Sequence, residues 1–238
     1  MQTEVLQKYM ASCGVDSRRK CQDLIKEGKV KINGQTAVLG ARVIPGKDIV
    51  LLNDKKIEPA SKDKLYIMLY KPRGFVTTLK DELGRKCVAQ LVEDIPTRLF
   101  PIGRLDKDSE GLLLMTNDGD FANKIIHPSK KIWKTYRVTV RPHVTEEQLT
   151  QICVGMTIDN QKTLPARAEL IRRHNDRSII EISIHEGRNR QIRKMCELLG
   201  LEVLKLKRIS IGKLKLGQLK PGKHRPLTKE EIKSFIDR

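Results

Sequence analysis

The sequence predicts an α+β protein in two unequal parts, and three observations predict it. Apolar residues alternate with period two in some runs and recur every three to four residues in others, but strands and helices do not take strict turns, which argues against a doubly wound parallel sheet. A polar, aperiodic stretch, Pro59-Ala60-Ser61-Lys62-Asp63-Lys64, interrupts the pattern. The length of 238 residues suits one ordinary domain plus a small one. The expected division is 1–58, a linker at 59–64, and 65–238.

The small part reads as two short helices and a small sheet. Val5, Leu6, Tyr9, Met10 and Cys13 share one helical stripe, and Gly14 is a C-terminal stop. Asp16-Ser17 caps a second helix with Cys21, Leu24 and Ile25 inward and Gly28 at its end. Val30-Lys31-Ile32 then meets Asn33-Gly34, a strong hairpin signal, and the turn Pro45-Gly46-Lys47-Asp48 leads into the apolar run Ile49 to Leu52.

The large part is strand-rich. Leu65 to Tyr70 reads as a buried strand ended by Lys71-Pro72-Arg73-Gly74, and Leu99 to Ile102 as a strand running into a loop at Gly103. Lys134 to Val140 and Ser178 to His185 alternate with period two. Thr145 with Gln148, and Thr228 with Glu231, are capping boxes that open helices.

Composition narrows the function. Lys+Arg 47 against Asp+Glu 29 gives a net charge of +18, which points to a polyanionic partner. Residues 1–60 carry +4 of it and the remaining 178 carry +14, so the charge belongs to an extended surface rather than a basic tail. No run approaches the roughly 20 apolar residues of a membrane helix. The opening Met1-Gln2-Thr3-Glu4 has no basic, apolar leader, and five cysteines without a CxxC pair imply neither a disulfide framework nor a zinc site. A cytoplasmic protein is expected. No Walker loop, GxGxxG or GxSxG is present, which argues against nucleotide hydrolysis, nicotinamide chemistry and serine-type acyl transfer.

Three stretches can carry chemistry. Arg18, Arg19 and Lys20 sit in the first turn of a helix, where the macrodipole disfavours cations unless a phosphate is held there; Lys26, Lys29 and Lys31 follow. Gly103-Arg104-Leu105-Asp106-Lys107-Asp108-Ser109-Glu110-Gly111, between two apolar strands, would hold Asp106 at a sheet edge. A calcium loop fits it poorly, because Asn117 stands where the bidentate Glu belongs and an apolar strand fills the middle; a plain polar turn is the other reading. Glu186 to Met195 places four cations at the start of a helix with core positions Ile192, Met195 and Leu199 and a stop at Gly200. Arg193 falls beside the buried stripe, where it wants a carboxylate partner; otherwise the segment is a solvated basic helix.

Together these motifs resemble the bacterial rRNA pseudouridine synthases of the small-subunit/large-subunit family, which carry an N-terminal RNA-binding domain of the ribosomal-protein S-four type. Leu6 to Ala11, Gly14-Val15, Ser17 to Lys20 and Val30 to Gly34 match that domain. Lys71-Pro72-Arg73-Gly74, Gly103 to Asp106, Lys134-Thr135-Tyr136, Gly187 to Arg193 and Leu206-Lys207-Arg208 match the catalytic motifs in order. The segment Gly187 to Glu197 resembles the large-subunit branches. The resemblance implies a mixed, largely antiparallel sheet around a central basic cleft, with Asp106 as nucleophile, Arg193 beside it to keep it ionised, and Tyr136 stacked on an extruded base. It implies RNA contacts from Arg18, Arg19, Lys20, Lys31, Lys71, Arg104, Arg188 and Arg190, with Arg104 assisting extrusion. It implies no metal or organic cofactor, a monomer, and ribosomal RNA or a precursor particle as partner. The alternatives are a small-subunit target, or a non-catalytic RNA-binding protein of ribosome assembly; a nuclease would need clustered metal-binding carboxylates or histidines.

Overall fold

The computed structural model describes residues 3–58 and 63–236, so the linker residues 59–62 lie outside the described residues. The chain falls into two compact units, residues 1–64 with 95–98 and 117–119, and the remainder from 65. Among the described residues no helix is long and apolar enough to cross a membrane.

In the first unit, β1 (Glu4–Val5) precedes α1 (Leu6–Ser12), and α2 is Arg18–Lys26. Val5 is therefore not part of the helical stripe: it is extended and pairs with Arg42 of β4 (Arg42–Val43). Ser17 caps α2 by accepting from the Lys20 N–H. Strands β2 (Val30–Ile32) and β3 (Gln35–Thr36) form the anticipated hairpin, with Asn33 and Gly34 both in the left-handed conformation that its turn requires. Strands β5 (Val50–Leu52) and β6 (Lys55–Lys56) complete a sheet ordered β3-β2-β5-β6. Leu6, Tyr9, Met10, Cys21, Ile25, Val30 and Val50 close its core. Arg18, Arg19 and Lys20 are all exposed, whereas Lys31 is paired with Asp54 at 2.7 Å.

The second unit is built on β7 (Tyr66–Lys71), β8 (Phe100–Ile102), β9 (Glu110–Thr116), α3 (Gly119–Ile126) and β10 (Lys134–Arg141). After α4 (Glu146–Val154) and the ribbon β11 (Thr157–Ile158)/β12 (Gln161–Lys162) come β13 (Arg167–His174), β14 (Arg177–Ile184), α5 (Gln191–Leu198), β15 (Glu202–Ile211), β16 (Leu214–Lys215), β17 (His224–Pro226) and α6 (Lys229–Ile236). The sheet runs β13-β14-β10-β15-β9-β7-β17, with β16 beside β15 and β8 beside β9. Every pairing in it is antiparallel except β15 with β9.

Burial follows position in the sheet. Central β9 is buried at all its residues, which is why Leu112 to Met115 is a continuous apolar run, while β14 alternates buried and half-buried positions. One face packs Met68, Leu112 and Leu114 against Phe121, Ile125 and Phe235 of α3 and α6. Phe121 meets Tyr66 and Phe235 edge-on at 4.6 and 5.9 Å, pairs that contribute about 0.5–1.5 kcal/mol each beyond their burial. In α5, Leu199 follows the helix and is only half-buried; Cys196 takes the core position expected of it.

One crossing positions the site. Arg208 of β15 is paired with Tyr136 of β10 on one side and with Gly111 of β9 on the other. Gly111 has φ +110°, and a Cβ there would lie 2.2 Å from the Arg208 carbonyl oxygen, so only glycine lets the strands meet. The loop preceding Gly111 therefore emerges at the end of a central strand, not at the sheet edge the sequence suggested.

Candidate active site

The loop from Gly103 to Ser109 joins β8 to β9, and its backbone is held at six consecutive carbonyls. Arg208 Nη1 reaches the Arg104 carbonyl at a long 3.5 Å, and Thr77 Oγ1 donates to that of Leu105 at 2.6 Å. The Ser109 N–H donates to the Asp106 carbonyl at 3.1 Å and the Gly74 N–H to that of Lys107 at 2.8 Å. Arg193 Nη2 donates to the Asp108 carbonyl at 3.1 Å, and Lys71 Nζ to that of Ser109 at 2.7 Å. Leu105, 5% exposed, plugs the loop into the core. Such a backbone has little freedom left.

Asp106 is half-buried, and among the described residues its carboxylate takes no hydrogen bond and no ion pair. This corrects two expectations. Arg193 does not pair with the Asp106 carboxylate; it donates to the backbone of Asp108 and, at 3.4 Å, to that of Val203. Burial and the neighbouring Arg190 press against its charge, while Asp108 and Asp106 support it. Lys71 cannot face RNA, because it is fully buried, with its ammonium on the Ser109 and Pro72 carbonyls. Burial pulls its pKa down to about 8, against the pull of nearby Asp106 and Asp108 in the other direction.

Asp106 opens onto a cavity of about 470 Å³ that it shares with Tyr136, Arg208, Lys134, His185 and Arg190. That volume suits one nucleotide-sized group. Tyr136 is 8% exposed; its hydroxyl lies 3.5 Å from Arg208 Nη1 and its ring 6.0 Å from that guanidinium. Arg104 and Arg190 are exposed at the same cavity. Arg190 is the N-cap of α5 and lies in the left-handed region at φ 51°, a strained setting for a side-chain-bearing residue. Arg188 lines the cavity too, but its guanidinium is engaged by Glu186 at 3.2 Å and by the Gln161 and Lys162 carbonyls at 3.1 and 2.7 Å.

The structure thus brings Asp106, Tyr136, Arg104, Arg188 and Arg190 together, and places Arg193 and Lys71 behind the loop. Sequence reasoning gave no role to Thr77, Lys134 or Arg208. Burial and the neighbouring Arg208 lower the pKa of Lys134 at the cavity wall. Arg208 is 3% exposed, with no carboxylate among its hydrogen-bond partners. The signals available were that Lys134 lies two residues before Tyr136 and that Arg208 closes a matched motif; Thr77 offered none.

Cations at the rim draw in a polyanion, and an unpaired carboxylate inside meets it: the class this geometry defines is an enzyme acting on a nucleic-acid chain. Residues 65–198 match the family model for RNA pseudouridylate synthase, and residues 6–50 that for the S4 domain. The ribosomal large subunit pseudouridine synthase B of Bacillus subtilis (strain 168) is 47% identical over 97% of this chain and 94% of its own. The dual-specificity RNA pseudouridine synthase RluF of Escherichia coli (strain K12) is 39% identical over 95% of this chain and 76% of its own. A crystal structure of a pseudouridylate synthase matches with a TM-score of 0.71 at 32% identity, covering 97% of this chain and 99% of that one. The chain belongs to the RNA pseudouridylate synthase family, and it is a pseudouridine synthase.

Proposed function

We propose that this protein isomerises uridine to pseudouridine in large-subunit ribosomal RNA, in the cytoplasm, with Asp106 as the nucleophile. The observation that carries the assignment of Asp106 is its unpaired carboxylate on a backbone-held loop, opening onto the cavity it shares with Tyr136. A nucleophile gains from being ionised and fixed before the substrate arrives.

In this reading a uridine leaves its stack and enters the cavity, with Arg104 at the mouth taking part in the extrusion. Asp106 attacks, and the bond from the sugar to the base nitrogen breaks. The uracil turns and its carbon five bonds to the same sugar carbon, which breaks the bond to Asp106 and frees its carboxylate. The proton displaced from carbon five is removed and the freed nitrogen ends protonated, so no atom is lost. Tyr136 stacks on the base and assists proton transfer. Residues 1–58 serve as the RNA-binding domain, with exposed Arg18, Arg19 and Lys20 on phosphate, and residues 65–238 as the catalytic domain.

The large-subunit target rests on the similarity to the B. subtilis enzyme of that name. Mapping pseudouridines in rRNA from cells with and without the gene tests it: loss of a large-subunit site supports the reading, and loss only from small-subunit rRNA overturns it. Asp106→Asn tests the chemistry. It is expected to abolish pseudouridine formation while rRNA binding stays near that of the parent, because phosphate contacts dominate affinity. Turnover within about tenfold of the parent refutes Asp106 as nucleophile.

A further inference from the structure

We infer that Thr77 is a positioning residue for the reaction, its hydroxyl fixing the peptide plane that leads into Asp106 and so the direction in which the carboxylate meets the base. The inference rests on the reading of Asp106 as nucleophile.

A threonine hydroxyl has one proton to give and lone pairs to receive. Thr77 uses both on one residue: Oγ1 donates to the Leu105 carbonyl at 2.6 Å and accepts from the Leu105 N–H at 3.2 Å. The Leu105 carbonyl belongs to the peptide unit that contains the Asp106 nitrogen. The unit on the far side of Asp106 is held by a local turn, Ser109 N–H to the Asp106 carbonyl at 3.1 Å. Both planes flanking Asp106 are thereby set, and what remains free is chiefly its own side chain. Of the two holds, the Ser109 turn travels with the loop, whereas Thr77 comes from 28 residues away and ties the loop to the segment after β7. The Gly74 N–H on the Lys107 carbonyl ties the same two segments a second time.

Thr77 also differs from the other side chains that grip the loop, Lys71, Arg193 and Arg208, in being neutral. Removing it alters geometry without altering the charge around Asp106.

The test compares Thr77→Val, which keeps the branched shape and loses the hydroxyl, with Thr77→Ser, which keeps the hydroxyl and loses the methyl group. Single-turnover pseudouridine formation at saturating rRNA, the dissociation constant for the same RNA, and the melting temperature are read on each full-length variant, with Asp106→Asn alongside. Thr77→Val is expected to lower turnover about 10- to 100-fold, with RNA affinity and the shape of the pH–rate profile unchanged. Thr77→Ser is expected within about threefold of the parent. If Thr77→Val does not fold, Thr77→Cys replaces it: a thiol is a weak donor, so it must run slower than Thr77→Ser. Parent-like turnover in Thr77→Val, equal rates in the Cys and Ser variants, or a Ser variant as slow as Val overturns the inference. Activity in Asp106→Asn overturns instead the reading on which it rests.

Discussion

Two cationic regions of this protein hold their charge in opposite settings. At the start of α2, Arg18, Arg19 and Lys20 stand exposed in a first turn that contains no acidic residue. Behind the Asp106 loop, Lys71, Arg193 and Arg208 are buried or half-buried and donate to backbone carbonyls, while Arg193 Nε and Arg208 Nη2 find no partner among the described residues. Among the described residues the first set takes no ion pair, whereas the second set holds a loop. A net charge of +18 says nothing about this division. Burying a cation is costly, and it is sustained here by acceptors several of which belong to the Asp106 loop, with Asp106 and Asp108 close enough to act on Lys71.

The largest effect is expected from Lys71→Met. It leaves the Ser109 and Pro72 carbonyls without their donor and takes one positive charge from beside Asp106, so turnover should fall by roughly 10²- to 10³-fold while the salt dependence of RNA binding stays put. Parent-like turnover would place Lys71 outside the machinery. The same residue predicts a stability trend. Its pKa falls from an ordinary 10.5 to about 8 in the fold. Below about pH 8 both folded and unfolded chains hold the proton; between there and 10.5 the unfolded chain holds it and the folded one has released it. The Lys71 contribution to stability therefore rises with pH across that window, by on the order of 1–3 kcal/mol. Denaturant unfolding of parent and Lys71→Met at pH 7.5 and 10 reads this as a difference between the two proteins; an unchanged difference contradicts it.

A milder effect is expected from replacing Arg18, Arg19 and Lys20 together with Ala. Affinity for structured rRNA should fall about 10- to 50-fold and the slope of log affinity against log salt should flatten by about two units, with turnover at saturating RNA preserved. A variant that binds as tightly as the parent at physiological salt would show that the exposed turn is an ordinary solvated face.

Much of the fold was legible because its signals are local. Ser17 caps α2, Asn33-Gly34 turns the hairpin, and Thr145 with Gln148 and Thr228 with Glu231 form both capping boxes. What could not be read depends on distant partners. The two-residue strand Glu4–Val5 exists only because Arg42–Val43 pairs with it. Strand β13, Arg167–His174, hides because an exposed edge strand rich in arginine has no apolar alternation. The register that aligns Tyr136, Arg208 and Gly111 joins three segments far apart in the chain. The site was half legible for a related reason. Chemistry-bearing side chains such as Asp106 and Tyr136 announce themselves by type, but a hydrogen bond to a carbonyl leaves no mark on the sequence of the acceptor. Arg193 visibly needed a partner; that the partner is the backbone of Asp108 became apparent only from the fold.

The two uses of charge meet within three residues of each other on one segment, and this allows the most direct test. Arg193 reaches back to the loop, whereas Arg190 is exposed at the cavity. Single-turnover rates and RNA affinities for Arg193→Ala and Arg190→Ala, measured across a salt series, set one against the other. The account predicts that Arg193→Ala lowers turnover at saturating RNA by about tenfold or more with the salt slope intact, and that Arg190→Ala raises the apparent KM and flattens the slope by about one unit with turnover intact. Normal turnover in Arg193→Ala together with a flattened salt slope would make it one more phosphate contact and contradict the account.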